Sequence, residues 1–369
     1  MQRSIAILVL FKDNDGYTPL HVACSYRAPQ EVIDFLLQQY PQALGERNDK
    51  GQTPLQLYLL SSFSGMCKEV VELLIENHPE SLGMRDNQGN TPLSIACSKN
   101  SSDKLWIDTL VHRYPEALQE KNNDGRSPLY YICNHCKISK ETIVEWVEKA
   151  TQALQASRRI GSTPLHFVFA NHGSVELIKF VIQKYPGTIQ EKDSDGCTPL
   201  HLACSSISLC VELIELLIRT FSAAVREEDN SGRIPLHYVC QSSSNLSYTA
   251  QSVNMLIKEY PEGVGMKDQN GRTPLHVACQ YNPSLVELLN ERYPEAARAK
   301  DVYGSTPLHL ACRFGNCLLT IELLFESYAD AIREKDHAGY TPLHLVSIFH
   351  PSETEVIMFF IKMDPESLL

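Results

Sequence analysis

The chain has 369 residues, 43% of them hydrophobic and 21% charged, a balance that fits a folded protein and excludes a disordered one. A formal net charge of −11 argues against phosphate backbones as partners, so nucleic-acid binding is not expected. No apolar run approaches the roughly 20 residues that span a bilayer, which predicts no membrane insertion.

The chain opens with a short apolar stretch, Ile5 to Phe11, that lacks the small-x-small cleavage site of a secretory signal. Residues 1–11 instead fall where the end of a preceding structural unit, or a cap, would lie. Without an export signal the Asn-x-Ser sequons at Asn100 and Asn245 carry little weight. An intracellular, cytoplasmic location is expected, with the nucleus also compatible.

From residue 12 to the C-terminus the sequence repeats itself. A Thr-Pro-Leu triplet or close variant places proline at 19, 54, 92, 128, 164, 199, 235, 274, 307 and 342, ten copies with spacings of 33 to 39 residues. Each proline follows a glycine by three positions, at 16, 51, 89, 125, 161, 196, 232, 271, 304 and 339. Three positions before the glycine stands Asp or Asn in nine copies, with Arg158 the exception. Asp/Asn-x-x-Gly is turn chemistry, since the side chain bonds nearby backbone and glycine accepts positive φ. The threonine then serves as N-cap and the proline as first helical residue. A short first helix follows, as over Leu20 to Cys24, and then a second helix with an apolar stripe such as Val32, Phe35 and Leu36.

The second helices mostly end in Tyr-Pro or a variant, as at Tyr40-Pro41, His78-Pro79, Tyr114-Pro115, Tyr185-Pro186, Tyr260-Pro261 and Tyr293-Pro294. Proline stops a helix there, and the tyrosine ring is expected to pack between neighbouring repeats. The distance from this aromatic position to the next threonine position is 13 residues at all nine junctions. The length from proline to the aromatic position varies instead, from 19 to 25 residues. The extra residues are expected in the connection between the two helices, notably over 242–252 and 61–68.

This unit resembles the ankyrin repeat, a turn plus two helices with a Thr-Pro-Leu-His-x-Ala signature. The nearest copies begin at Thr18, Thr198, Thr273 and Thr306. The resemblance implies an all-α solenoid of ten turn-helix-loop-helix units forming one array over 12–369. It also implies a protein-interaction scaffold rather than an enzyme, reading a protein partner through turn tips and the concave first-helix surface. The alternative is the targeting region of a larger enzyme or membrane protein whose other domain lies outside this chain.

Five His-x-x-Cys pairs (His21/Cys24, His201/Cys204, His237/Cys240, His276/Cys279, His309/Cys312) offer half of a zinc site each. The structural reading is stronger. The histidine recurs at the fourth signature position in seven repeats, where the resemblance implies a hydrogen-bonding role, and the cysteine fits a small buried site. Cys133, His135 and Cys136 form a lone Cys-x-x-Cys cluster with no second ligand pair nearby. Trp106 and Trp146 fall in second-helix stripes and are expected in the core. No metal, cofactor or catalytic residue is predicted.

Positions left free by the repeat are the two before the turn glycine, the one after it, and the two after the repeat cysteine. In the last three repeats these include Gln269, Asn270, Arg272, Gln280, Tyr281, Val302, Tyr303, Arg313, Phe314, His337 and Tyr340. Exposed aromatics with arginine are what binding hot spots favour. Arg126, Arg158 and Arg159 form a second, basic candidate. The final helix around Glu355 to Ile361 is strongly apolar for a terminal repeat, which suggests flanking sequence or a docked surface.

Overall fold

The computed structural model describes residues 11–61, 67–98, 104–135, 138–156, 163–205, 211–242 and 246–364, and all their regular structure is helical. It divides into two compact units, Met1–Lys184 and Tyr185–Leu369. In the first unit the short first helices are Pro19–Ser25, Pro54–Leu60, Pro92–Ser98, Pro128–His135 and Pro164–Ala170. Their partners are Gln30–Gln39, Lys68–Asn77, Lys104–Arg113, Lys140–Ala156 and Val175–Lys184. In the second unit Pro199–Ser205, Pro235–Gln241, Pro274–Tyr281, Pro307–Arg313 and Pro342–Phe349 pair with Val211–Thr220, Leu246–Glu259, Val286–Arg292, Leu318–Ser327 and Thr354–Met363.

Every first helix starts on its proline. Thr18, Thr53, Thr273, Thr306 and Thr341 hold extended φ/ψ at the N-cap, and Ile234 keeps the same conformation without a hydroxyl. The leucine that follows the proline is the core of the stack: Leu20, Leu55, Leu93, Leu129, Leu165, Leu200, Leu236, Leu275 and Leu308 are each 2% exposed or less. Burying one such side chain stabilises by about 1.5–3 kcal/mol. Trp106 and Trp146 are buried as expected, and the Trp146 indole donates to Asp108 at 2.7 Å.

The histidine of the signature joins consecutive repeats. The Thr18 N–H donates to His21 Nδ1 at 3.2 Å, which leaves the hydrogen on Nε2, and Nε2 meets the Gln52 carbonyl of the next tip at 3.0 Å. His201 reaches Arg233 O, His237 reaches Arg272 O, His276 reaches Ser305 O and His309 reaches Tyr340 O in the same way. In the second repeat Gln56 does the same work, its Oε1 accepting from Thr53 N–H and its Nε2 donating to Asn90 O. Burial, only partly offset by these carbonyl bonds, lowers the pKa of His201 and His276 to about 4 and lowers those of His21, His237 and His309. The cysteine one turn on is a core residue: Cys24, Cys204, Cys240, Cys279 and Cys312 are fully buried, and burial pushes their thiols up.

Eight of the nine junctions share one stop. The aromatic or histidine residue (Tyr40, His78, Tyr114, Tyr185, Phe221, Tyr260, Tyr293, Tyr328) turns extended with φ between −132° and −151°, and a single 3₁₀ turn follows. Phe221 and Tyr328 adopt this geometry without a following proline. The ring does pack between repeats: a Cβ built on Gly265 would sit 3.0 Å from Tyr293, and one on Gly83 would sit 3.7 Å from Tyr114. Three tyrosine hydroxyls also donate to a glutamate six residues on, Tyr40 to Glu46, Tyr114 to Glu120 and Tyr328 to Glu334. A cation from the preceding repeat closes each pair, Lys12, Arg85 and Lys300 respectively.

The length variation is placed differently from the expectation. In the second repeat the second helix begins at Lys68, with 62–66 outside the described residues, and in the seventh repeat the second helix starts at Leu246. Most of the extra length over 242–252 therefore lengthens that helix to 14 residues rather than widening the loop. The fourth repeat has Ala150 and Thr151 where others have Tyr-Pro, and its helix runs on to Ala156, 17 residues in all. With neither an aromatic ring to dock nor a proline to break the hydrogen-bond ladder, nothing stops it.

Candidate functional site: the turn tips and first-helix groove of the second unit

Each tip of the second unit is an Asx turn. In the ninth, the Asp301 Oδ1 accepts from Tyr303 N–H and Ser305 N–H, both at 2.9 Å, and Gly304 N–H bonds back to Asp301 O. The glycine before each signature threonine is required: Gly271 has φ of +72°, and a Cβ there would lie 3.1 Å from Asp301 Cα and Val302 N. Consecutive tips therefore touch, and one backbone bond joins each pair. Gln269 N–H donates to Ser231 O, Val302 N–H to Asn270 O and His337 N–H to Tyr303 O, all at 2.8 Å.

This row of tips walls a groove of about 650 Å³ in the second unit, lined by Arg272, Gln280, Asp301, Tyr303, Ser305, Leu310, Arg313, Phe314, Asp336, His337 and Ala338. Six of the residues singled out from sequence meet there: Arg272, Gln280, Tyr303, Arg313, Phe314 and His337. Asn270 and Tyr281 line a smaller cleft of about 210 Å³, to which Arg272 also contributes. Tyr281, Val302, Tyr303, Phe314 and Tyr340 are all exposed, Tyr303 the most at 59%.

The other singled-out residues are placed as follows. The Gln269 side chain is committed to the scaffold, its Nε2 donating to Asn230 O at 2.8 Å, as Asn230 in turn donates to Ser194 O. Val302 is exposed on the tip, and the Tyr340 ring is tilted against His344 with centroids 6.2 Å apart. Arg126 is exposed on a tip of the first unit, its guanidinium 5.7 Å from the Tyr130 ring centre. Arg158 and Arg159 lie outside the described residues, as does Cys136 of the lone cysteine cluster.

Charge in the groove is divided between depth and rim. Asp301 forms the floor with a side chain 1% exposed, and Arg272 Nη1 is fixed to Gln280 Oε1 at 2.8 Å. Arg272 Nε stands 3.6 Å from Asp301 Oδ2, and neither atom has a hydrogen bond among the described residues. At the rim Arg313 is exposed and lies over the Phe349 ring at 5.2 Å, a cation–π contact. Ile348 and Phe349, 52% and 47% exposed, were not singled out from sequence although they occupy the two positions after Ser347, where other repeats carry the repeat cysteine.

The tip of the seventh repeat is built from the same turn but closed. Asp229 Oδ2 accepts from Tyr238 OH at 2.7 Å and from Arg233 Nε at 2.9 Å, and the Arg233 guanidinium stacks on the Tyr238 ring at 4.6 Å. Burial pushes the Asp229 carboxyl up, but the bonds from Tyr238 and from the Arg233 and Ser231 amides bring it below its ordinary range. Ser305 and Leu310, which take the places of Arg233 and Tyr238 in the ninth repeat, offer Asp301 no such cover.

Two family profiles match the chain. One, described as ankyrin repeats in three copies, matches overlapping segments from 136 to 335, and the other, ankyrin repeats in many copies, matches 7–57. The chain belongs to the ankyrin-repeat family. Its members generally serve as protein–protein interaction modules rather than catalysts. No curated protein matches the chain significantly. Among the described residues, no helix is long and apolar enough to cross a membrane.

Proposed function

We propose that this ankyrin-repeat chain is a non-catalytic scaffold or adaptor that holds a protein partner in the groove between the tips and first helices of its second unit. The observation that carries this is the meeting of Tyr303, Arg313 and Phe314 on the walls of one open groove, with Tyr281 in the adjoining cleft. The five His-x-x-Cys pairs are buried, and their histidines are bonded between repeats. A rigid, preformed surface loses little conformational freedom on binding, and arginine with exposed aromatics is what carries binding energy in such surfaces.

The test is affinity capture with mass spectrometry, comparing the full chain with a Tyr281→Ala, Tyr303→Ala, Phe314→Ala triple variant. Partners bound by the wild type should be lost from the variant at an unchanged melting curve. An unchanged set of partners would overturn the proposal.

A further inference from the structure

Three successive first helices place an aromatic ring at the same position, seven residues after the proline: Tyr281, Phe314 and Phe349. They are 47%, 42% and 47% exposed. The preceding repeat has Ser242 there, and although the first repeat carries an isolated Tyr26 at this position, three such rings in succession occur only in the last three repeats. Neighbouring packed helices are separated by roughly 8–10 Å, which sets the interval between the rings. Arg313 stands over the third ring and, among the described residues, has no ion pair. Asp301, a buried carboxylate of the same groove, lies on the floor with Oδ1 taken by two amides. What a ligand meets there is therefore a row of apolar rings with one exposed cation, Arg313, over the third, and Asp336 in the groove lining.

That interval selects a backbone. An extended strand puts residues three apart on opposite faces. A polyproline II helix rises about 3.1 Å per residue with three residues per turn, so every third side chain returns to one face after roughly 9 Å. Proline-rich segments of this kind dock on aromatic-lined grooves because their conformation is already formed. We infer that the groove takes a proline-rich, acidic segment of a partner protein in the polyproline II conformation, with an apolar side chain at every third residue seated along Tyr281, Phe314 and Phe349. The acidic residues between them pair with Arg313. This rests on the reading of the groove as the partner site and names what that partner presents.

The experiment is fluorescence anisotropy on the full chain with a labelled peptide of four Leu-Pro-Glu triplets. The control has the same composition with its leucines at uneven intervals. The triplet peptide should bind about tenfold tighter than the control. Phe314→Ala and Phe349→Ala should each weaken it at least severalfold with unchanged melting curves. Arg313→Glu should reverse the preference between Leu-Pro-Glu and Leu-Pro-Lys triplets, a readout that general loss of fold would not give. Equal affinity for triplet and control peptides, or no binding of the triplet peptide, would overturn this inference. So would tighter binding of an α-helical peptide with leucines seven apart. In any of those cases groove-dependent partners in the capture experiment would leave the scaffold proposal standing, whereas their absence as well would remove both.

Discussion

The tips at Asp229 and Asp301 have the same backbone and the same aspartate, yet one is closed and the other open. Asp229 is covered by Arg233 and Tyr238, which satisfy its second oxygen. Asp301 has Ser305 and Leu310 in those places, and its second oxygen is left with a guanidinium at 3.6 Å. Both tips hang from the preceding repeat by a histidine, His201 through Arg233 O and His276 through Ser305 O. The turn is therefore anchored by residues the repeat keeps, and opened or closed by residues it leaves free. An open tip with a polar floor is what a groove needs.

The anchors give the largest predicted effect and treat the two tips alike. His201 and His276 titrate near 4 when folded, against an ordinary value of 6.5. The unfolded chain thus binds more protons than the folded one between these values, so stability falls as pH drops from about 6.5 to about 4 and the histidine contribution levels off below that. A shift of this size corresponds to roughly 3 kcal/mol for each of the two. Urea denaturation at pH 7.5, 5.5 and 4.5 should show the loss, and His276→Gln, which copies Gln56, should reduce it while the chain stays folded.

The next effect separates the tips. Tyr238→Phe removes a hydroxyl donor from a buried carboxylate and should cost about 1–3 kcal/mol. Asp301→Asn should stay within roughly 0.5 kcal/mol, because the amide oxygen still accepts both backbone bonds, as Asn48 does in its own tip. Equal losses from the two variants would erase the distinction between open and closed tips. The smallest effect comes from transplanting the cover: Ser305→Arg with Leu310→Tyr should close the ninth tip and add about 1 kcal/mol. The same double variant should fill the groove and reduce capture of partners, measured beside wild type.

The junctions offer a parallel check. Ala150→Tyr with Thr151→Pro should shorten the 17-residue helix and lower the helical circular dichroism signal slightly. An unchanged signal would show that something other than the missing stop extends the helix.

The start of each repeat was legible because each of its positions has a local physical reason: the Asx turn, the N-cap, the proline and the apolar leucine. The groove was legible in part, since positions outside the repeat pattern had to project somewhere, and Arg272, Tyr303, Arg313 and Phe314 do line one cavity. Gln269 shows the limit, because a free position can still be spent on a bond to the neighbouring tip. Phe349 was missed because its repeat carries Ser347 in place of the cysteine that marked the site elsewhere. The Asp301 floor was invisible for another reason: whether a carboxylate is covered depends on side chains four and nine residues on reaching back in three dimensions. The run-on at Ala150 could have been read from sequence, because the fixed 13-residue interval pointed straight to the residue that lacks both devices.

In the second unit consecutive tips are joined by single backbone bonds such as Val302 N–H to Asn270 O. Under tension along the stack these bonds carry load one after another, like links rather than parallel strands. Such a row yields at its weakest link first, one repeat at a time, and a partner lying across several tips would act as a splint.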